Sequence, residues 1–202
     1  MRTWLRSRTA WWALLVLGLC PLAWLVWRTF TDQLGANPAE TLIRATGDWT
    51  LRGLCLALAI TPLRSVLGWP ELARFRRMLG LLTFGYASLH LVCYAWFDMG
   101  LDWADIAHDI PKRPFVLVGS LAFAMLALMA ATSWNGAIRR LGARRWQVLH
   151  RSVYAVAVLA VLHFWWMRAG KNNVIEVWVY GLVLAALLGW RIWRRAHNLR
   201  GA

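Results

Sequence analysis

Three of the five histidines lie inside long apolar stretches of the chain, at His90, His150 and His163. Ionisable side chains at membrane depth are costly and usually mark ligands or proton paths. Two imidazoles at one depth on neighbouring helices can supply the two axial nitrogens of a haem iron. His150 precedes His163 by 13 residues, which is about 20 Å of helix at 1.5 Å per residue. The spacing therefore predicts two sites at two depths.

The composition places these histidines in a membrane protein. Of the 202 residues, 60% are hydrophobic and only 16% are charged, against about 45–50% and about 25% in soluble domains. A domain of this size still exposes much of its surface, so it cannot bury such an excess in its core. The composition therefore excludes a soluble domain, a disordered chain and a coiled coil, and favours a polytopic membrane protein.

Six apolar segments are long enough to cross a bilayer, because a hydrocarbon core of about 30 Å needs roughly 20 helical residues. Each crossing segment must be helical, since unpaired backbone groups cannot face lipid. We therefore predict an all-α, six-helix transmembrane bundle that forms a single domain over residues 1–202. The predicted helices span residues 11–30, 48–67, 78–97, 115–134, 146–167 and 174–193.

The basic residues predict the orientation of this bundle, since Lys and Arg accumulate on the cytoplasmic side. With the N-terminus inside, sixteen arginines fall on the cytoplasmic side and six basic residues, including Arg168 and Lys171, on the other. Both termini are therefore predicted to be cytoplasmic. His90 and His163 then share the outer half of two parallel helices, and His150 lies near the cytoplasmic start of the fifth. This topology explains the net charge of +14 without a nucleic-acid partner.

The cytoplasmic end of the third helix carries arginines in place of a second histidine. Arg77 and Arg76 precede His90 by 13 and 14 residues, and 14 residues are close to four helical turns, so Arg76 lies near the face of His90. Either arginine could flank the membrane, contact a haem propionate or occupy an unusual axial position. A spacing of 13 residues also turns His150 about 140° away from His163 on an ideal helix. Either the fifth helix is distorted, or the two imidazoles serve differently oriented groups.

Arg52 is a further candidate for contact with a haem. It follows Asp48 by one helical turn at the outer end of the second helix, where the two side chains can pair as i, i+4 neighbours. Arg52 could instead face a haem propionate.

Other chemistries fit these residues less well. The sequence contains no HExxH motif, and Cys20, Cys55 and Cys93 stand singly in apolar runs, so a zinc site is not indicated. A proton pump would need carboxylates in the middle of its helices, and the predicted helices carry none there. A transporter or channel with a histidine-lined path stays an alternative, although no internal repeat is visible. A structural anchor for a partner protein is a third hypothesis.

Several motifs along nearly the whole chain are similar to one family. They include TPLR at residues 61–64, RRMLG at 76–80, KRP at 112–114 and RRWQVLHRSVY at 144–154. With the LH pair that ends at His90, they resemble the MsrQ (YedZ) family of haem-binding membrane subunits. That family belongs to the ferric-reductase-like transmembrane group, which uses four histidines on two helices. His90, His150 and His163 match three of them, and Arg76 or Arg77 stands where the fourth would be.

The resemblance implies a function that the residues alone do not give. It implies one or two b-type haems, FMN as a further cofactor, and electrons taken from the quinone pool. The electrons would pass to a periplasmic molybdopterin-containing methionine sulfoxide reductase, for repair of oxidised periplasmic proteins. The resemblance also implies a multi-pass protein of the bacterial inner membrane. No GxGxxG motif for a dinucleotide is present, so the electrons must come from another donor.

The outer loop between the third and fourth helices is acidic, with Asp98, Asp102, Asp105 and Asp109. Acidic residues contribute little to membrane orientation. The cluster therefore either keeps the loop solvated or steers a partner that carries a basic patch.

Overall fold

The architecture is an all-α bundle, which confirms the predicted fold class. The computed structural model describes residues 2–169 and 174–200, so Lys171 of the orientation argument lies outside the described residues. Within them, six helical segments are long and apolar enough to cross a membrane. The main helices of these segments are α1 Arg8–Phe30, α2 Pro38–Leu67, α3 Phe75–Cys93, α4 Pro114–Ala131, α5 Val153–Ala169 and α6 Ile175–Arg200.

Capping residues, and not hydropathy, determine where α2 begins and ends. The helix starts at Pro38, well before the predicted residue 48, because the Asn37 side chain accepts the backbone N–H of Glu40 at 3.1 Å. Proline suits the first helical position, where its missing N–H has no partner to lose. Gly68 ends the helix with a φ of 64°, a left-handed conformation that glycine adopts without strain. The predicted end at residue 67 is confirmed.

The predicted fifth helix is divided into two pieces. A helix over Ala143–His150 is followed by a turn at Arg151 and Ser152, after which α5 begins at Val153. The Ser152 hydroxyl donates to the Leu149 carbonyl at 2.6 Å within this turn. Of the two alternatives drawn from the 13-residue spacing, the structure shows the distortion, directly after His150.

Short helices occupy connecting segments for which the sequence predicts loops. The acidic loop contains the helix Trp103–Lys112, capped by Asp102, whose carboxylate accepts the N–H groups of Ala104 and Asp105 at 2.9 and 3.0 Å. Aspartate is a favoured cap because it satisfies N–H groups that have no partner inside the helix. The other short helical segments are Arg2–Leu5, Pro70–Arg74 and Asn135–Leu141. The segment Tyr94–Asp98 differs from these, because it covers the last residues of the predicted third helix, 78–97, whose α-helical part ends at Cys93.

Two helix pairs form the centre of the bundle. Helix α2 packs along α3, α4 packs along α5, and α6 contacts both α2 and α5. Their buried side chains form one apolar core, which includes Leu54, Leu58, Ala87, Leu126 and Val156. Large apolar side chains also cover the outside of the bundle, a distribution expected where lipid tails, and not water, surround the helices.

Helix α1 is attached to α3 through the hydroxyl group of Tyr86. This oxygen accepts the N–H of Leu22 at 3.1 Å and donates to the carbonyl of Gly18 at 2.8 Å. In a regular helix those two backbone groups bond to each other, so the hydroxyl is inserted into the α1 ladder beside Pro21. The inserted hydroxyl therefore joins α3 to α1 next to the proline within α1.

Both ends of the described chain lie on one side of the bundle. Arg74, just before α3, donates to the carbonyl groups of Leu5 and Arg6. Arg74 also lines a cavity together with Arg191 from the last turns of α6. The cytoplasmic location of this side stays a prediction from the charge distribution.

Candidate functional site

His90 on α3 and His163 on α5 lie side by side in the interior of the bundle. Their ring centroids are 6.1 Å apart and their ring planes are nearly perpendicular, at 85°. We call this pair the outer site. The structure thus brings together the two histidines that the sequence predicts to lie at the same depth on two neighbouring helices.

Each histidine of the outer site is held by a backbone carbonyl of a neighbouring helix. His90 Nδ1 is 2.8 Å from the Ile43 oxygen of α2, and His163 Nδ1 is 2.7 Å from the Phe115 oxygen of α4. Because a carbonyl oxygen only accepts hydrogen bonds, this geometry assigns the proton to Nδ1 in both rings. Nε2 then carries the lone pair in each ring and is free to ligate a metal.

The spacing of the two rings fits a haem iron. An imidazole nitrogen lies about 2 Å from the metal that it ligates, and the ring centroid about 1.1 Å beyond it, so two axial imidazoles place their centroids about 6.3 Å apart. The 6.1 Å found here is close to that separation. A histidine ligand that donates its second N–H to a carbonyl is also the arrangement that fixes ring orientation in metal sites.

A cavity lies at the end of the bundle where the described chain begins and ends. It has a volume of about 670 Å³, within the range of about 300–1,000 Å³ that is common for ligand and cofactor pockets. Its apolar wall comes from the α2 and α4 faces of the core. Its polar wall is strongly basic, because it includes His150, Arg74, Arg76, Arg77, Arg151 and Arg191. We call this cavity the inner site.

His150 enters the inner site beside Trp146 and Thr132. The rings of His150 and Trp146 are stacked with centroids 4.0 Å apart, and Nε2 of His150 is 3.2 Å from the Thr132 hydroxyl. Across the cavity, the Arg76 guanidinium donates to the Thr61 hydroxyl at 2.7 Å. The structure thus places His150 and Arg76 in one cavity, His150 beside Thr132, which follows α4, and Arg76 beside Thr61 of α2.

Arg77 also reaches the inner site, at its edge. Its guanidinium donates to the side-chain oxygen of Asn135 at 3.0 Å, and it lines a second, apolar groove between α1 and α3 as well. Both arginines singled out by the sequence therefore line the inner cavity.

Arg52 faces α6 and not its sequence neighbour Asp48. Its Nε donates to the hydroxyl of Tyr180 at 3.0 Å, and its guanidinium lies 4.6 Å from the centroid of the Trp49 ring. In place of the predicted i, i+4 pair with Asp48, Arg52 therefore makes a hydrogen bond to Tyr180 and a cation–π contact with Trp49.

Two arginines that the charge distribution places among the flanking basic residues, Arg168 and Arg191, make contacts within the bundle. Arg168, which is 7% exposed, pairs with Glu176 at 2.8 Å. Arg191 donates to the carbonyls of Leu187 and Leu58 and lies over the Tyr154 ring. Apolar residues follow Arg191 directly, at Ile192 and Trp193. A single charged residue inside an apolar run is the sequence signal from which the position of Arg191 within the bundle could have been predicted.

The acidic loop contains one aspartate that is not part of an exposed rim. Asp109 is buried, accepts the hydroxyl of Tyr94 at 2.7 Å and pairs with Arg113 at 2.8 Å. The expectation that all four aspartates form one solvated cluster is therefore wrong, because this carboxylate joins the helix Trp103–Lys112 to the end of α3. Asp98, Asp102 and Asp105 are exposed.

Comparisons with known proteins point to one family. The family model for the ferric reductase like transmembrane component matches residues 46–161, a range that includes His90 and His150 and ends two residues before His163. No solved structure matches the chain with statistical significance.

Three relatives carry the name protein-methionine-sulfoxide reductase heme-binding subunit MsrQ. The relative from Polaromonas naphthalenivorans is 56% identical over 99% of this chain and 94% of its own length. That from Bordetella parapertussis is 52% identical over 93% and 92%, and that from Xanthomonas campestris pv. campestris is 48% identical over 90% and 85%. The chain, a bacterial multi-pass membrane protein, therefore belongs to the MsrQ family of ferric-reductase-like transmembrane subunits.

Proposed function

We propose that this protein is the haem-carrying electron-transfer subunit of a methionine sulfoxide reductase system, with a b-type haem at the outer site and a second one at the inner site. The observation that carries the proposal is the outer pair of imidazoles, which have the spacing of axial ligands and a free Nε2 each. The names of the relatives indicate the cofactor and the system. A bound haem would carry one electron at a time between its ferric and ferrous states.

The side chains around each site have distinct roles in this proposal. His90 and His163 would hold the outer haem through their Nε2 atoms. His150 would hold the inner haem, together with Arg76 or Arg77 across the cavity. Arg76 is favoured because its contact with Thr61 of α2 corresponds to that of His150 with Thr132, which follows α4. The remaining arginines of the inner site would offset the negative charge of haem propionates, and Arg52, near the middle of α2, would do so for the outer haem.

We further propose that the inner site faces the cytoplasm and the outer site the periplasm. The basic residues around the chain ends support this orientation through the positive-inside rule. Electrons would then enter at the inner site, cross the bilayer along α3 and α5, and leave at the outer site for the periplasmic molybdopterin-containing reductase.

A quinol is the electron donor in this proposal, as the family resemblance implies. An apolar groove of about 600 Å³ lies between α1 and α3, and Arg74 and Arg77 line both this groove and the inner site. A lipid-soluble donor in the groove would therefore be adjacent to the first acceptor. Oxidation of the quinol releases two electrons and two protons, and the electrons enter the inner site one at a time.

FMN stays a prediction of the resemblance. The names of the relatives mention heme and no flavin. We expect fluorescence of the supernatant after denaturation of the purified protein to decide whether FMN is bound, and a protein without flavin would remove FMN from the proposal.

A visible spectrum tests the proposed function most directly. We expect the protein purified from cells with ample haem supply to show a Soret band that shifts when dithionite reduces the iron. A colourless and iron-free preparation would contradict the proposal and favour a transporter or a structural anchor. Reduction by a soluble quinol, measured on the same sample, tests the electron source separately from the cofactor.

The exposed acidic residues of the outer loop are expected to speed association with the reductase partner. Replacing Asp98, Asp102 and Asp105 with asparagine should slow electron transfer to the partner by roughly tenfold at low ionic strength, and less as salt rises. The Asp102→Asn change keeps the helix cap, since asparagine caps as well as aspartate. The matched control replaces Asp98 and Asp105 with glutamate, which keeps the negative charge of the exposed surface. Equal rates for the triple variant and the wild type across the salt series would reduce the loop to a solvated linker.

A further inference from the structure

Two glycines lie against the imidazoles of the outer site. A Cβ atom built on Gly119 would be 2.8 Å from Nδ1 and 2.9 Å from Cε1 of His163. A Cβ atom built on Gly47 would be 3.1 Å from Cε1 and 3.2 Å from Nδ1 of His90. These distances are shorter than the about 3.5–4.0 Å at which non-bonded heavy atoms attract each other. Any side chain at either position would therefore push the imidazole away.

Each glycine follows, by one helical turn, the carbonyl group that holds the imidazole. Gly47 comes four residues after Ile43, and Gly119 four residues after Phe115. In an α-helix the Cα–Cβ bond tilts towards the N-terminus, so the side chain of residue i+4 lies over the carbonyl of residue i. That carbonyl already accepts the N–H of residue i+4. In both helices the glycine at i+4 leaves the space through which the imidazole N–H of the neighbouring helix reaches this carbonyl.

The same arrangement occurs in both central helix pairs. Gly47 lies on α2 and precedes His90 on α3 by 43 residues, and Gly119 lies on α4 and precedes His163 on α5 by 44 residues. In each pair, the first helix supplies the carbonyl and the glycine, and the second supplies the histidine. This structural repeat was not visible in the sequence analysis, because the two pairs share only these few residues.

We propose that Gly47 and Gly119 are positioning residues of the outer site. Each glycine gives an imidazole access to a backbone carbonyl, and that carbonyl determines which ring nitrogen carries the proton and how the ring is oriented. The proposal rests on haem ligation at the outer site. The Nδ1–H bond to a carbonyl makes the ligating Nε2 more basic and holds the ring plane. Without it, the ring can turn, and its weaker donation to the iron stabilises the ferric state less. The glycines thus act on the iron through the histidines.

The two substitutions should have graded effects. Gly119→Ala brings a methyl group within 3 Å of a ring atom of His163, and Gly47→Ala requires a smaller displacement of His90. We expect Gly119→Ala to weaken haem binding at the outer site by about 10–100-fold, the range found when residues that orient metal ligands are changed. Gly47→Ala should retain more haem but raise the midpoint potential of the outer haem.

Gly181→Ala and Gly189→Ala on α6 are the matched controls. A Cβ atom at Gly181 would meet only Val161, at 3.8 Å, and one at Gly189 would meet nothing within 4 Å. Both controls raise helix propensity as the test variants do, and we expect both to keep the wild-type haem content, spectrum and potentials.

The experiment compares haem content, low-temperature EPR and a redox titration for the four variants in the full-length protein. The inner haem serves as a reporter of folding in each sample. A selective change in the outer low-spin signal, with the inner signal intact, supports the proposal. Wild-type content, EPR signal and potential of the outer haem in Gly119→Ala would overturn it. If Gly119→Ala does not accumulate, Gly47→Ala decides in the same way, by the presence or absence of a selective shift in potential.

These outcomes are separable from a failure of the proposed function. If His90→Ala and His163→Ala leave the haem signals unchanged, ligation at the outer site is wrong. If those variants lose a haem but Gly119→Ala and Gly47→Ala do not change it, only the positioning role is wrong.

Discussion

Replacing His90 or His163 with alanine is expected to remove one of the two low-spin haem signals and to lower the haem content by about half. Each ring supplies one of two axial nitrogens, so a single loss leaves the iron five-coordinate and the macrocycle weakly held. Electron delivery to the periplasmic partner should fall to background, because the outer site is the exit in the proposed path. Haem quantification, EPR and a coupled reductase assay measure these changes.

The controls for this prediction are the two exposed histidines of the described chain. His108 lies in the helix of the acidic loop, and His197 stacks on Trp193 at the end of α6. His108→Ala and His197→Ala should keep both haem signals and the rate of electron delivery. The assignment of the outer ligands is wrong if His90→Ala and His163→Ala both retain full haem content and a wild-type low-spin spectrum.

The second large effect is expected at the inner site. His150→Ala should remove or alter the inner haem signal and leave the outer signal in place, since His150 lies 13 residues before His163 and lines a separate cavity. Reduction by a quinol should fail in this variant, whereas dithionite should still reduce the outer haem. Potentiometric titration of the two signals separates the sites.

Two arginine variants refine the inner assignment. We expect Arg76→Ala to change the inner signal more than Arg77→Ala, because Arg76 contacts Thr61 inside the cavity and Arg77 contacts Asn135 at its edge. An unchanged inner signal in His150→Ala would remove the inner haem from the proposal. A larger effect of Arg77→Ala than of Arg76→Ala would exchange the roles of the two arginines.

The number and kind of the helices could be predicted from the sequence alone. Transfer of a 20-residue segment into lipid depends on the sum of its side chains, and that sum is a local property of the chain. For the same reason, the three interior histidines stand out as costly exceptions within apolar runs. The family could also be identified at this level, since its motifs are short and contiguous.

Helix ends and the break in the fifth segment were predicted less well. The start of α2 at Pro38 depends on the Asn37 cap, outside the apolar run. The distortion at Arg151 and Ser152 is one of two alternatives that the sequence leaves open. The 13-residue spacing shows that one regular helix cannot point His150 and His163 in the same direction, but it does not show where the helix breaks.

The contacts between helices were decided only by the tertiary structure. The 6.1 Å between the rings of His90 and His163, and the glycines beside them, follow from how closely and at what rotation the helices approach. Arg191 and Asp109 likewise differ from ordinary flanking charges only through partners on other helices. Hydropathy measures how favourably a segment transfers from water into the bilayer. It contains no information on which neighbour a given residue faces, because packing depends on the shapes of two surfaces at once.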